Sequence, residues 1–202
     1  MYRCKEPTPA GIEEAEPFFD LNKEFPKGTT AFRCTSWSED GSHFAYGLSH
    51  AGSDWVTIKV RTADGEDLPD DVLEHAKFTG IEWRKDGSGF FYSRYPSSDK
   101  IKGAEARLSK AEEGDATPAA SSEDEDSSAL EQGTETDANV HQMLCYHTLG
   151  TAQSEDLVVF RTPEQPLWRF SAVVTDGDDT LLVSMDDGCD PVNRLFYADL
   201  KE

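Results

Sequence analysis

Long apolar runs are missing from these 202 residues, and none approaches the roughly 20 residues that a membrane-spanning helix requires. The opening MYRCKEPTPAGIEEAEPF lacks the apolar core of a secretory signal. Basic charge is scarce. Lys and Arg number 19 against 40 Asp and Glu, a net charge of -21. That balance argues against nucleic acid or an anionic membrane as partner, because both reward Lys and Arg. Cysteine is sparse too. Cys4, Cys34, Cys145 and Cys189 lie far apart, with no CxxC and no Cys/His pair at metal spacing. There is no Asn-x-Ser/Thr acceptor site. These absences describe a cytoplasmic protein with free thiols, no metal and no cofactor.

The usual catalytic signatures are equally wanting. A serine hydrolase needs its nucleophile on a strained Gly-x-Ser-x-Gly turn beside an oxyanion hole. None is present, and Asp86-Gly87-Ser88-Gly89 reads as a hairpin turn. No Gly-rich loop cradles phosphate. His43, His50, His75, His141 and His147 show no zinc-ligand arrangement. His141 and His147 are predicted to share a strand face, but a third and fourth ligand are lacking. They are expected to be surface or hydrogen-bonded histidines. Carboxylates are so abundant that no acid/base pair stands out. By its own residues this chain is not a complete enzyme.

What is present is strand. Phe44–Ser49 and Trp55–Arg61 flank a Gly/Ser turn, and Val56, Ile58 and Val60 alternate with polar residues at the period of a half-buried strand. Asp-Gly between such runs signals a hairpin, because Gly takes positive φ without steric cost. Three segments repeat the plan: FRCTSWSEDGSHFAY (Phe32–Tyr46), FTGIEWRKDGSGFFY (Phe78–Tyr92) and FSAVVTDGDDTLLV (Phe170–Val183). Trp37 and Trp83 stand three residues before their Asp-Gly. Further strands follow each hairpin, at Gln142–His147, Leu157–Phe160 and Arg194–Asp199.

A four-strand unit recurring every ~40–50 residues is the signature of a β-propeller blade. One blade cannot bury both its faces, so blades stack about an axis and cover one another. A β-sandwich has similar strands and turns, but the repeat register favours the propeller. The expected fold class is all-β: a partial propeller of about three four-stranded antiparallel blades. Residues 1–28 read as an irregular lead-in in which FFDLN docks as a short edge segment and Pro17 and Pro26 limit any strand. Residues 29–202 form the propeller part, with blade units at about 29–70, 71–163 and 164–202. Residues 97–138 interrupt the second blade with an acidic low-complexity insert, too poor in apolar surface to offset its ordering entropy. The insert contains a marginal helix near Ala104–Glu113. It also contains the run Glu123–Asp126 between serines, which reads as a solvated loop or as a phosphorylated interaction site.

FAYGLSHAGSDWVTIKV, KFTGIEWRKDGSGFFYSRYP, GTETDANVHQMLCYHTLGTAQSEDLVVF and DDGCDPVNRLFYADL together resemble the propeller domain of the prolyl oligopeptidase family. The resemblance runs from about Glu16 to Leu200, apart from most of the acidic insert. It implies a serine-type endopeptidase whose α/β-hydrolase domain carries a Ser-Asp-His triad and cleaves short peptides after proline. A seven-bladed propeller caps that active site and excludes folded proteins. This chain resembles an interior fragment of the propeller. The hydrolase domain would be missing from it, no triad residue carries over, and the chain alone should be inactive. Its implied role is to gate and partly line the peptide channel, with short proline-containing peptides as partners of the complete enzyme.

Two positions carry over from the resemblance. Phe78, in KFTGIEW, matches the aromatic wall of the subsite beyond the proline pocket. Cys189, in DDGCDPVNR, matches a cavity-facing cysteine that makes the family sensitive to thiol reagents. Arg169, in LWRFSAVV, departs from the pattern, which has an apolar residue there, and a guanidinium would favour acidic side chains. The alternative reading is a non-catalytic propeller-type interaction module that binds through open blade edges.

Overall fold

The computed structural model describes residues 1–4, 8–96 and 139–200. Its chain order is β1 (Tyr2–Arg3), α1 (Pro9–Glu13), β2 (Glu16–Pro17), α2 (Leu21–Glu24), β3 (Thr30–Trp37), β4 (His43–His50), β5 (Val56–Thr62), β6 (Asp67–Trp83), β7 (Gly89–Arg94), β8 (Met143–Thr148), β9 (Leu157–Phe160), β10 (Trp168–Val174), β11 (Thr180–Asp187) and β12 (Asn193–Asp199). Strands β3 to β9 pair in sequence order as one antiparallel sheet, β10 to β12 form a second, and β1 pairs with β2. The marginal helix and the acidic run read in the insert lie outside the described residues.

The long strand β6 explains how blades are made from that sheet. Its first part pairs with β5, matching Ile58 to Leu73 and Val56 to Ala76. The register then shifts between Ala76 and Ile81, and the last residues pair with β7 from Ile81↔Tyr92 to Trp83↔Phe90. Positive φ at His75 (58°) and Phe78 (52°) turns the chain at this break. The outer strand of the first blade thus becomes the inner strand of the second. The first blade is β3, β4, β5 and early β6, and the second is late β6, β7, β8 and β9. The third has β10, β11 and β12.

Burial follows from stacking. In a blade covered on both faces, neighbouring residues of a central strand point into different cores, so the strand reads apolar at both parities. In β4, Phe44, Tyr46 and Leu48 pack against Phe18, Phe19, Leu21 and Phe25 of the lead-in. Ala45, between them, faces a core shared with Val56, Ile58, Leu73, Trp83, Phe90 and Tyr92. In β7, Phe91 points the other way, into a cluster with Phe170, Leu181, Val183 and Met185 of the third blade. Two of the cores therefore lie between blades, and the third lies between the first blade and the lead-in.

The three hairpin corners occupy equivalent places, between β3 and β4, β6 and β7, and β10 and β11. In each, the residue that opens the turn accepts from the N–H three residues on: Gly41 to Ser38, Gly87 to Arg84, Asp178 to Thr175. Positive φ falls on Gly41 (69°) and Gly87 (71°), but in the third corner on Asp178 (51°). The third Asp-Gly is therefore shifted by one residue, and Asp, which tolerates the left-handed region, takes the glycine's place. The lead-in is more ordered than its composition suggests. FFDLN packs on the first blade through Phe19, which is buried and meets Phe32 and Tyr46 through its ring, and its Leu21 opens α2.

Candidate functional site: the rim of the blade connectors

In an up-and-down blade, successive turns alternate between its two ends. The Asp-Gly corners share one end. The passages from one blade to the next, and the turns between second and third strands, share the other. Phe78 lies in the passage within β6, Arg169 opens β10 after the next passage, and Cys189 lies in the turn between β11 and β12. Topology alone puts all three at one rim.

The side chains then meet. Phe78 is 47% exposed, so its ring is not committed to blade packing. The Arg169 guanidinium lies 5.3 Å from the Phe78 ring centroid, within cation–π range. Arg169 Nη2 donates to the carbonyl of Gly188, the neighbour of Cys189, at 2.8 Å. One side chain thus ties the passage carrying Phe78 to the turn carrying Cys189. Cys189 is exposed and free, not a buried thiol. By contrast Cys34 and Cys145 are covered; burial pushes the Cys34 thiol up to about 11, against a hydrogen bond from the Gly47 backbone.

Beneath Phe78 lies a second layer. Lys77 is buried, its Nζ 5.3 Å from the Phe78 ring centroid and 5.0 Å from that of Trp55. Asp54 Oδ2 is 4.0 Å from that ammonium. Tyr95 packs edge-on to Trp55 at 5.8 Å. Burial raises the Tyr95 phenol, and the nearby Arg169 charge pulls it back. Nothing in the sequence marks Trp55, Lys77 and Tyr95 as neighbours, since their meeting depends on the break in β6.

The histidines divide. His141 precedes β8 in a left-handed conformation (φ 62°) and does not share a strand face with His147, which corrects the expectation from spacing. His147 is buried and held on both ring nitrogens: Nδ1 is 2.7 Å from Asp156 Oδ1 and Nε2 3.0 Å from Asp71 Oδ1. Asp71 belongs to the first blade and His147 to the second. Burial opposes the imidazolium most strongly, yet the hydrogen bonds to Asp156 and Asp71 prevail and push His147 up to about 9. This is a structural clamp, and sequence could not find it because Asp71, which ties it to the first blade, is 76 residues from His147. Among the described residues no group of three His, Cys, Asp or Glu is arranged to hold a metal ion.

The profile of the prolyl oligopeptidase N-terminal β-propeller domain matches residues 1–112 and 121–202. Prolyl oligopeptidase A of Amanita bisporigera is 33% identical over 216 residues, a match covering 98% of this chain and 25% of that protein. Prolyl endopeptidase of Dictyostelium discoideum is 29% identical, over 92% of this chain and 25% of its own length. The apo structure of prolyl oligopeptidase B from Galerina marginata superposes with a TM-score of 0.74 at 27% identity, covering 99% of this chain and 25% of that one. This chain thus spans about a quarter of the length of the relatives it matches. The stacked blades, the equivalent corners and the extent of the match lead to one assignment: the chain belongs to the prolyl oligopeptidase family, as its N-terminal β-propeller domain.

Proposed function

We propose that this chain is the channel-lining part of a serine-type endopeptidase that cleaves short peptides after proline, with cleavage performed by a hydrolase domain of the kind this family carries. The observation that carries the reading is the exposed Phe78 ring, joined through Arg169 to the Gly188–Cys189 turn. An aromatic face and an accessible thiol at one rim suit a subsite wall. The Galerina marginata relative is described bound to a 35mer hydrolysis and macrocyclization substrate, in keeping with a peptide ligand. Phe78 and Cys189 are the proposed substrate-binding residues. The test is a chimera in which this chain replaces the matching quarter of a prolyl oligopeptidase. The chimera should cleave a prolyl-linked chromogenic peptide and be inhibited by a thiol reagent, with inhibition relieved by Cys189→Ser. Inhibition unchanged in that variant removes Cys189 from the channel, and turnover by the unfused chain overturns the division of labour.

A second reading rests on β12. Its residues are exposed along its length, with Leu195 at 66% and Tyr197 at 81%, and among the described residues it pairs with β11 alone. An open apolar edge favours strand addition. A discrete oligomer of the purified chain, dissociated by Tyr197→Lys, would support an interaction module.

A further inference from the structure

Among the described residues Arg169 lacks the carboxylate partner that several cations of this chain have. Arg61, Arg84, Lys85 and Lys77 each have a carboxylate within 4.0 Å. Among the described residues no carboxylate stands at that range from Arg169. Asp186 is its register partner across β10 and β11, yet Arg169 Nη2 turns past it to the Gly188 carbonyl. A guanidinium has five N–H donors in a planar fork, so most of this one's capacity remains unspent. Its plane is steadied by the Phe78 ring 5.3 Å away, and it is half-exposed. Lys77, on the same ring, is buried and lies beside Asp54, which leaves Arg169 as the accessible cation on that ring.

We infer that Arg169 selects charge at this rim, accepting an acidic peptide side chain on its fork while the Phe78 face packs the adjoining apolar part. A planar fork suits a carboxylate, which takes two N–H···O bonds. The net charge of -21 would otherwise repel acidic peptides, so the Arg169 guanidinium sets the preference at the Phe78 ring against the background field. The inference rests on the peptide-channel reading above.

Alkylation of Cys189 by neutral iodoacetamide, followed by mass mapping in the chimera described above with its catalytic serine replaced by alanine, tests it. Cys4, exposed and at the other end of the chain, serves as the internal control. The probes are Ac-Glu-Ala-Pro-amide, its Gln counterpart, and the Gln peptide with a free terminal carboxylate. The Glu peptide should protect Cys189 at about fivefold lower concentration than the neutral peptide, as an exposed ion pair allows. Added salt should shrink that preference. Arg169→Gln should remove the preference while leaving neutral protection in place, and Arg169→Lys should restore part of it. Equal protection by the Glu and Gln amides overturns the charge selection but leaves the channel reading standing. Preference for the free-acid peptide alone reassigns Arg169 to a chain terminus and overturns the side-chain claim. No protection by any peptide overturns the channel reading together with the inference. Loss of all protection in Arg169→Gln shows that Arg169 only shapes the rim.

Discussion

Arg84, in the corner of the second blade, grips Asp178 in the matching corner of the third, with Nε and Nη2 at 2.8 and 2.9 Å from the two carboxylate oxygens. The backbone N–H of Lys85 donates to the same carboxylate at 3.2 Å, and Lys85 Nζ reaches back 3.1 Å to Glu39 in the first corner. The corners are thus stitched in series. The Arg84–Asp178 pair is only about one-fifth exposed, so it holds more of its strength than a surface pair. Asp178→Asn keeps a residue suited to positive φ and removes the charge. A double-mutant cycle with Arg84→Met should give a coupling of about 1–2 kcal/mol in urea unfolding. A coupling near zero would assign blade register to the apolar cores alone.

His147 makes stability depend on pH. Its folded pKa, about 9, lies above its ordinary value of 6.5. The clamp to Asp71 and Asp156 therefore contributes fully below about pH 6.5 and is lost as pH rises through about 9. The contribution is on the order of 3 kcal/mol. Unfolding free energy measured from pH 6 to pH 10 should fall across that window, and the imidazole resonances should titrate near its upper end. Titration of His147 near its ordinary value would show that burial, not the carboxylates, dominates.

The lead-in is held by Arg61. Its Nε lies 2.7 Å from Asp67, its Nη1 2.8 Å from Glu24, and its guanidinium carbon 4.1 Å above the Phe19 ring. Phe19→Ala should cost about 3 kcal/mol through the cavity it leaves. Arg61→Met should cost about 2 kcal/mol, less than a fully buried pair because both carboxylates are partly solvated. In both variants, limited proteolysis should cut near Lys27 sooner than in the parent. Unchanged cleavage would mean that the lead-in docks independently of these contacts.

Thiol chemistry should divide the cysteines by burial. In the native chain, iodoacetamide should label Cys4 and Cys189 and spare Cys34 and Cys145, which are covered and whose thiols burial pushes up. Urea should make all four reactive. Early labelling of Cys145 in native buffer would contradict its place between β7 and β9.

At Gly89 an added Cβ would stand 2.0 Å from the His147 carbonyl oxygen and 2.8 Å from the Tyr146 hydroxyl. Gly89→Ala should therefore destabilise by about 2 kcal/mol or more through overpacking, and it should lower the melting temperature. A neutral outcome would require β7 and β8 to part without loss.

The sequence by itself determined most of the strands, their order and two of the three corners. Alternation in Val56-Thr57-Ile58-Lys59-Val60, and doubled apolar parity in Phe44-Ala45-Tyr46 and Phe90-Phe91-Tyr92, follow from backbone geometry within a few residues. So do the Asp-Gly turns at Gly41 and Gly87. The shifted third corner escaped because either Gly177 or Asp178 satisfies the local turn chemistry, and pairing with β11 decides between them. Only the tertiary structure joined His147 to Asp71, Arg84 to Asp178, and Arg169 to both Phe78 and Gly188. All but the Arg169–Gly188 bond, which closes the β10–β11 hairpin, span more than seventy residues and depend on how the blades stack. Such meetings are set by packing between sheets, and local pattern carries no record of them.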